Sequence, residues 1–320
     1  SAIPTEQAMF ITRFAPSPTG PLHLGHAYSA ILAHDMARTE GGRFLLRMED
    51  TDLERSKPEY GALIQEDLRW LGLTWDGPIR RQSDHIGRYN NRLEVLEHQG
   101  LLYPCSCTRA DIRSALAAPQ EGVAFNVYPG TCRHRKMASR LPGDALRLNL
   151  AAALEALNPP PAQSHQDHQS LPPSAWGRDE EEGGHPLSAN PPLVFLETGP
   201  AHPGPHRIDP QQAMDQIGDI VLSRKGEDIV AYFLAAALDD ADQGVTHVIR
   251  GEDLFDFTPV QVILQHLFGL PTPTYHHHRL IRDDQGKRLA KRDDARAISK
   301  YRAEGATPAD IRRLVGLPDR

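Results

Sequence analysis

The stretch FAPSPTGPLHLGH, which runs from Phe14 to His26, decides the fold that the sequence predicts. It sets three prolines, two glycines and two histidines directly before an alanine-rich helical pattern. The residues from Ile11 to Phe14 predict a short strand, and those from about His26 to Arg38 predict a helix. A strand, a glycine turn and a helix N-terminus form an anion site, because backbone N–H groups and the helix dipole point at the ligand.

Two histidines, His23 and His26, stand at the predicted start of this helix. Imidazoles at that place can donate hydrogen bonds to phosphate oxygens, and Gly25 lets a flat ring pack on the backbone because it has no Cβ. The alternative is a helix start with two incidental histidines, which a bare HxxH pattern favours. The chain has no Walker A loop and no GxGxxG pattern, so the usual phosphate and dinucleotide motifs are excluded.

Composition and charge narrow the class of protein. The 320 residues are 39% hydrophobic and 24% charged, which suits one large domain or two smaller ones with a buried core. The net charge of −7 disfavours nucleic acid as a partner, so an RNA contact needs a local basic face, such as Arg133 to Arg140 or Gly286 to Arg296. The longest apolar run, Ile229 to Leu238, is shorter than the roughly 20 residues that span a bilayer. We expect a cytoplasmic monomer with no membrane partner.

Strand and helix patterns alternate on both sides of a long polar segment. Asn158 to Pro210 is rich in proline, glycine, histidine and acids, which predicts an insertion or flexible loop outside the core. The alternation elsewhere predicts a parallel sheet with crossover helices. The predicted elements are a strand at Arg43–Met48, helices at Lys57–Leu71 and Gly87–Gln99, a strand in DIVLSRK, a buried helix in EDIVAYFLAAALDD, a strand in VTHVIRG and a helix in TPVQVILQHLFG.

Four motifs occur in a fixed order along the chain: RFAPSPTGPLHLGH, RMEDTD, VIRGEDL and GKRLAKR. Together they resemble the catalytic domain of class I aminoacyl-tRNA synthetases of the glutamyl/glutaminyl group, with HLGH in place of HIGH and RLAKR in place of KMSKS. The resemblance implies an α/β fold with a Rossmann-type parallel sheet. The two halves of the sheet domain would occupy residues 9–104 and 211–279. An inserted zinc-binding subdomain would occupy 105–210, with a Pro/His-rich loop at 158–210. The KMSKS-like loop and a short helical segment would occupy 280–320.

The resemblance also implies a two-step reaction. Glutamate attacks the α-phosphate of ATP, which is bound with Mg²⁺, to give an adenylate and pyrophosphate, and the acyl group then moves to an RNA hydroxyl. Such a displacement needs positioning and charge neutralisation. His23, Gly25 and His26 would hold the nucleotide, and Lys291 would meet the charge on pyrophosphate. Arg288 replaces a lysine of the motif and Ala290 a serine, whose lost hydroxyl is worth about 1 kcal/mol.

A glutamate substrate has two carboxylates and one ammonium, so its pocket needs arginines and an acid. Each candidate alone is better interpreted as a surface charge or a core tyrosine, and only their common order favours a pocket. By motif position the resemblance implies Arg13, the turn residues Phe14, Ala15, Pro16 and Ser17, Glu49 for the α-ammonium, the hydroxyl of Tyr232, and Arg250.

The three cysteines are Cys105, Cys107 and Cys132. Clustered thiolates suit a zinc site that lacks one ligand, and general metal chemistry offers His134 as the fourth. The alternative is reduced cysteines packed under a loop. The spacing resembles the zinc motif of a shortened subfamily of glutamyl-tRNA synthetase paralogues, which implies that Tyr128 is the fourth ligand of a structural Zn²⁺.

The chain after the KMSKS-like loop is short, since 320 − 292 leaves 28 residues. We therefore expect no anticodon-binding domain, as in the shortened subfamily, which transfers glutamate to queuosine in the anticodon of tRNA(Asp). One alternative is a fragment of a glutamyl-tRNA synthetase that charges the 3′ end of tRNA(Glu). Another, suggested by Arg288 and Ala290, is a catalytically silent RNA-binding relative.

Overall fold

The structure is a computed structural model of the chain. Three residues of the KMSKS-like motif that matter for the predicted chemistry, Arg288, Ala290 and Lys291, lie outside the part of the chain that it describes. The described residues are 8–107, 116–121, 125–158, 192–224, 229–287, 289 and 296–319.

The strands are β1 (Ile11–Phe14), β2 (Arg43–Met48), β3 (Arg80–Arg81), β4 (Leu102–Cys105), β5 (Ala145–Leu148), β6 (Val194–Glu197), β7 (Gly204–Arg207), β8 (Val221–Arg224), β9 (Ile229–Val230), β10 (His247–Gly251) and β11 (Thr274–His278). The helices are α1 (Leu24–Thr39), α2 (Pro58–Trp70), α3 (Ile86–His98), α4 (Leu150–Leu157), α5 (Pro210–Gln216), α6 (Tyr232–Asp242), α7 (Thr258–Leu267), α8 (Ile298–Ala303) and α9 (Pro308–Leu314). Short 3₁₀ turns lie at Gln82–His85, Met137–Ser139 and Glu252–Phe257.

The parallel sheet is built from both halves of the chain. Strands β1, β2 and β3 pair in parallel in that order, and β10 pairs in parallel with β11. The two sets meet where the backbone N–H of Thr246, just before β10, donates to the carbonyl of Ile11 at 2.9 Å. The strand order β3-β2-β1-β10-β11 and the helices α1 and α7 that follow β1 and β10 confirm the predicted α/β fold.

The helix boundaries follow local chemistry. Pro58 occupies the first turn of α2, where its missing N–H costs nothing. Gly100 ends the segment of α3 with φ of 72°, a left-handed conformation that favours glycine. The pattern EDIVAYFLAAALDD was predicted as one helix, but its beginning forms β9, and α6 starts only after Ala231. None of the described helices is long and apolar enough to cross a membrane.

A second sheet lies in the middle of the chain. Strands β4, β5, β8 and β9 pair in antiparallel order, and β4 and β5 bracket the segment that carries Tyr128 and Cys132. Alternating apolar residues of these strands and of α4 join the large core that also contains α6 and α7. The middle of the chain is therefore packed against the segment that forms α6 and α7 and shares its core.

The prediction that 158–210 stays outside the core is wrong for its last part. Residues 159–191 lie outside the described chain, but β6 and β7 form a hairpin, and β6 pairs in parallel with β11 at Glu197 and Tyr275. The short apolar run VFLE is flanked by prolines and glycines, so the composition of the whole segment hides it. The predicted insertion thus returns to the parallel sheet before residue 210.

Candidate active site

The histidines of the opening stretch cap the first helix with their own rings. The Nδ1 of His23, the residue before α1, accepts a hydrogen bond of 3.0 Å from the N–H of Gly25. The Nδ1 of His26 accepts one of 2.9 Å from the N–H of His23. Because Nδ1 is the acceptor in both rings, each neutral imidazole carries its proton on Nε2. The helix N-terminus therefore combines two imidazoles that carry their protons on Nε2 with the positive end of the helix dipole.

Gly25 is needed for this arrangement. A Cβ at Gly25 would lie 2.8 Å from Cε1 of His23, closer than carbon atoms approach. The rings of His23 and His26 also stack, with centroids 3.7 Å apart. The flat ring that packs on Gly25 is thus that of His23, and the HLGH motif folds as one unit.

Arg13 lies on β1 with 5% of its surface exposed and makes a two-pronged ion pair with Asp240 of α6. Its Nε donates to Oδ1 at 2.9 Å, and its Nη2 donates to Oδ2 at 3.2 Å. Burial opposes the charge of Arg13, but Asp240 outweighs it and holds the pKa of Arg13 above its usual range. Burial also disfavours the Asp240 carboxylate, yet Arg13 and Arg47 lower its pKa to about 2. The charge of Arg13 is therefore offset within the protein.

Each strand of the first sheet sends an arginine to α6. The Nη2 of Arg47 on β2 donates to Asp240 at 2.6 Å, and the Nε of Arg80 on β3 donates to Asp239 at 2.9 Å. Tyr89 donates to the same Asp239 at 2.7 Å. None of these partners of α6 was among the site residues predicted from the sequence, apart from Arg13. The sequence does contain a signal for buried ion pairs, the run LDDAD at the end of an apolar helix. Acids are almost never fully buried unless they are paired, so such a run predicts basic partners.

Glu49, predicted to receive the α-ammonium, follows β2 and has a buried oxygen with no partner. Its Oε1 is shielded from solvent and makes no hydrogen bond within the described chain. Burial raises the pKa of Glu49 to about 7, although Arg47 and Arg13 act in the opposite direction. An unpaired buried carboxylate is costly unless a cation binds there. Glu49 is therefore prepared for a positively charged ligand.

Arg250, on β10, has 5% of its surface exposed and donates to four uncharged side chains. A guanidinium has five N–H groups, so one Nη2–H remains after these bonds. Because the Tyr232 hydroxyl accepts from Arg250, its own proton can go to a ligand. The bonds run from Nε to His277 Nε2 at 2.9 Å, from Nη1 to Tyr232 Oη at 3.3 Å and to Gln261 Oε1, and from Nη2 to Thr258 Oγ1 at 3.1 Å.

Four of the predicted glutamate residues, Arg13, Glu49, Tyr232 and Arg250, lie near one another and border a region that we call the crevice. Arg13 interacts electrostatically with both Glu49 and Tyr232, and Tyr232 contacts Arg250. The opening turn joins them, because the N–H of Glu49 donates to the carbonyl of Pro16 at 2.9 Å. The crevice thus has two guanidinium groups, one carboxyl and one hydroxyl at its border, and Arg250 is the guanidinium that no carboxylate of the described chain pairs. A carboxyl, a hydroxyl and an unpaired guanidinium are groups that a dicarboxylic amino acid can bind.

The composition of the histidine run YHHHRL predicts a polar, partly exposed strand, with a metal site as the alternative. The strand is β11, but His277 and His278 are only 2% and 4% exposed. His277 lies between Arg250 and Glu197, whose Oε2 is 2.5 Å from His277 Nδ1. The expectation of exposure was wrong because β6 covers β11, and β6 lay in the segment predicted to be a loop.

The cysteine cluster lies beside β4. The Sγ atoms of Cys105 and Cys107 are 2.6 Å apart, and the Sγ of Cys105 is 3.6 Å from Tyr128 Oη. Tyr128 Oη also accepts a hydrogen bond of 2.8 Å from the backbone N–H of Cys132. His134, the alternative fourth ligand, is exposed. Within the described chain, no three His, Cys, Asp or Glu side chains are grouped closely enough to hold a metal.

Arg147 of β5 is the cation of this cluster. Its Nη2 donates to the Sγ of Cys107 at 3.5 Å, and its Cζ lies 3.6 Å from the centre of the Tyr128 ring. Burial opposes its charge, but Cys105 and Cys107 raise the pKa of Arg147. Arg147 therefore sits where negative charge on the thiol and phenol groups would gather.

The basic run Arg133 to Arg140 is partly used inside the protein. The Nε of Arg133 donates to Asp219 at 2.7 Å, and the Nη2 of Arg135 donates to Asp144 at 2.8 Å. A guanidinium in such a pair offers less charge to an outside phosphate. The run is therefore weak support for an RNA-binding face.

A family model described as "tRNA synthetases class I (E and Q), catalytic domain" matches residues 9–138 and 207–318. The protein belongs to this family. The HLGH helix start and the crevice described above thus lie within the catalytic domain of a class I tRNA synthetase, which is a ligase.

Several curated relatives of this synthetase carry the name glutamyl-Q tRNA(Asp) synthetase. The one from Rhodobacter capsulatus is 54% identical over 96% of this chain and 100% of its own length. Those from Symbiobacterium thermophilum and Thiobacillus denitrificans are each 36% identical over 95% and 97% of this chain, covering 84% and 87% of their own lengths.

Solved structures share the fold of this synthetase. A glutamate tRNA ligase from Elizabethkingia meningosepticum, in complex with its amino acid, aligns with a TM-score of 0.63 and 24% identity over 94% of this chain. This chain spans 59% of the length of that ligase. A methionyl-tRNA synthetase from Mycobacterium tuberculosis aligns with a TM-score of 0.53 and 11% identity over 97% of this chain and 64% of its own.

Proposed function

We propose that this protein activates L-glutamate with ATP in the absence of tRNA and transfers it to queuosine in the anticodon of tRNA(Asp). The observation that carries the proposal is that the crevice is bordered both by Arg250, whose hydrogen-bond partners are all uncharged, and by Glu49, whose Oε1 has no partner within the described chain. The names of relatives that this chain matches over 95% or more of its length support the same activity. We expect the protein to act in the cytoplasm, where its substrates are found.

Each charged group of glutamate binds to its own set of protein groups. The α-ammonium lies against Glu49, whose carboxyl ionises when the ammonium arrives. The side-chain carboxylate receives the remaining Nη2–H of Arg250 and the hydroxyl proton of Tyr232. The turn Phe14 to Ser17 and Arg13 border the α-carboxylate, which is the nucleophile of the first step. These contacts fix the attacking oxygen, and fixing reacting groups is the main way to accelerate such a displacement.

ATP binds at the start of α1, with Mg²⁺ as part of the substrate. The Nε2–H groups of His23 and His26 and the helix dipole stabilise the phosphates as negative charge moves to the departing pyrophosphate. Gly25 keeps the backbone flat there. Lys291, which lies outside the described residues, supplies a further cation by motif position. The protein needs no nucleophile of its own, because the substrate carboxylate attacks phosphorus directly.

We also propose that Cys105, Cys107, Tyr128 and Cys132 hold a structural Zn²⁺. The donor set fits, because thiolates are preferred zinc ligands and Tyr128 contacts both ends of the cluster. When bound, zinc supplies a fixed link between β4 and the segment that follows. Arg147 offsets part of the net negative charge that four anionic ligands leave around Zn²⁺. Metal analysis of the purified protein should give one zinc per chain, and Cys107→Ser should lose it with a lower melting temperature.

The activity is tested by ATP–pyrophosphate exchange with glutamate and without tRNA. We expect pyrophosphate exchange with glutamate and ATP alone. If folded protein showed no exchange under these conditions, the proposal would be contradicted. The acceptor is tested with labelled glutamate and tRNA(Asp) with or without queuosine. We expect the label on an internal nucleotide of tRNA(Asp), and only when that tRNA contains queuosine. Label at the 3′ end of tRNA(Glu) would instead indicate a synthetase that charges that tRNA.

A further inference from the structure

We propose that Glu197 and His277 are positioning residues that hold Arg250 in the orientation that receives the side-chain carboxylate of glutamate. The inference rests on the function proposed above. Neither residue touches the substrate, because Glu197 acts on His277, and His277 acts on Arg250. All three are buried, with 2%, 2% and 5% of their surfaces exposed. Their contacts are therefore protected from competing water.

The hydrogen bond from Arg250 fixes the protonation of the histidine. Arginine has only donors, so the Nε2 of His277, which receives the Nε–H of Arg250 at 2.9 Å, must be unprotonated. The ring proton then lies on Nδ1, 2.5 Å from Oε2 of Glu197. A carboxylate at this position accepts that proton's hydrogen bond and stabilises this tautomer. Glu197 thus selects the form of His277 that accepts from Arg250.

Glu197 is itself locked in place. Its other oxygen, Oε1, accepts from the N–H of Gly199 at 2.6 Å and from the N–H of His277 at 2.8 Å. A Cβ at Gly199 would lie 2.5 Å from this oxygen, so only glycine leaves room for the contact. Burial disfavours the charge, but the hydrogen bonds from His277 and Gly199 hold the pKa of Glu197 below its usual range. The acceptor for Nδ1–H is therefore a fixed carboxylate.

His277 remains neutral under ordinary conditions. Burial lowers its pKa to about 4, although Glu197 acts in the opposite direction. No carboxylate of the described chain forms an ion pair with Arg250, and its partners leave its charge uncompensated. If His277 carried a proton on Nε2, either as the cation or as the other neutral tautomer, this N–H would point at the Nε–H of Arg250. Two donors cannot form a hydrogen bond with each other. The guanidinium would then lose its Nε anchor and turn its Nη2–H away from the substrate.

The decisive variant is Glu197→Gln. Its amide oxygen keeps both backbone hydrogen bonds, but its –NH₂ faces Nδ1 of His277. Nδ1 must then accept, so the proton moves to Nε2 and opposes Arg250. Isothermal titration with L-glutamate is expected to show a dissociation constant raised roughly 10- to 100-fold. The KM for ATP should stay within about twofold.

A double-mutant cycle separates positioning from simple loss of packing. In His277→Gln, the side-chain amide oxygen can accept the hydrogen bond from Arg250. Because an amide has no imidazole tautomers, Glu197 has no tautomer to select in this variant. Adding Glu197→Gln to this background should change the glutamate dissociation constant by about twofold or less. Asp76→Asn, which removes a partly buried ion pair with Arg38 far from the crevice, controls for general destabilisation and should leave glutamate binding unchanged. Equal effects of Glu197→Gln in both backgrounds would overturn the proposal.

Nitrogen-15 NMR of the histidine rings tests the wild-type protein directly. The Nε2 of His277, assigned with His277→Gln, should be unprotonated between pH 5 and 8, and Glu197→Gln should reverse the two nitrogens. A protonated Nε2 in the wild type would overturn the proposal even if the variants failed to fold. Absence of glutamate binding by the wild type would contradict the proposed function. Wild-type binding that Glu197→Gln leaves unchanged would contradict only the positioning role.

Discussion

Arg13 and Arg250 border the same crevice and are equally buried, yet their surroundings differ. Arg13 is held by the Asp240 carboxylate, whereas Arg250 is held by an imidazole, an amide and two hydroxyls. A paired arginine is close to neutral at a distance, but an unpaired one keeps its full charge for a ligand. Equal burial therefore conceals two roles: Arg13 joins the two halves of the sheet, and Arg250 is available to a carboxylate.

The largest expected effect tests the structural side of this contrast. Asp240→Asn leaves Arg13 and Arg47 buried without their carboxylate, so the free energy of unfolding should fall by about 3–5 kcal/mol. Urea denaturation measures it. Asp52→Asn removes the exposed pair with Arg55 and should cost less than about 1 kcal/mol. Equal losses in the two variants would mean that the buried pair does not join the halves.

Arg250→Lys tests the substrate side. Lysine keeps the charge but lacks the planar fork, so it cannot reach the acceptors on Thr258, Gln261 and His277 together. The kcat/KM for glutamate in pyrophosphate exchange should fall about 100-fold, equivalent to about 2.7 kcal/mol. Arg55→Lys, on the exposed surface, should show no change. If Arg250→Lys kept the kcat/KM of the wild type, Arg250 would have no special role in binding the substrate carboxylate, and the proposed difference between Arg250 and Arg13 would not hold.

Glu49→Gln separates stability from function within the crevice. The pKa of Glu49 is about 7 in the folded protein against 4.5 for an ordinary glutamate, so ionisation opposes folding above pH 4.5. The glutamine variant should be more stable at pH 8 by up to about 3 kcal/mol and nearly equal to the wild type at pH 4.5. It should not bind glutamate. Chemical denaturation at both pH values measures the difference, and a destabilised variant at pH 8 would contradict it.

The smallest effect is the pH dependence of binding. The substrate ammonium needs the ionised form of Glu49, so the glutamate dissociation constant should fall up to about tenfold per unit as pH rises toward 7, and then level off. Calorimetry between pH 5.5 and 8.5 measures it. Glutarate, which has the two carboxylates but no ammonium, should bind weakly and show no such gain. A gain shared by glutarate would assign the titration to another group.

The parallel sheet could be predicted, because strand–helix alternation and ordered motifs lie in continuous segments, and the glutamate-binding roles of the motif residues stay predictions. Strand β6 was missed, since four apolar residues among prolines and glycines leave no periodic signal. Without β6, neither Glu197 nor the burial of His277 could be predicted. The partners of Arg13 were missed because Asp240 is 227 residues away, and no local pattern states which buried acid meets which arginine.

The joining of Arg13, Arg47 and Arg80 to a single late helix has a consequence for synthesis on the ribosome. These arginines are translated long before α6, whose acids begin at Asp239. Until α6 emerges from the exit tunnel, the three arginines of the nascent first half lack the aspartates that pair with them in the folded protein. Completion of the N-terminal half must wait for Asp240, which is translated 193 residues after Arg47.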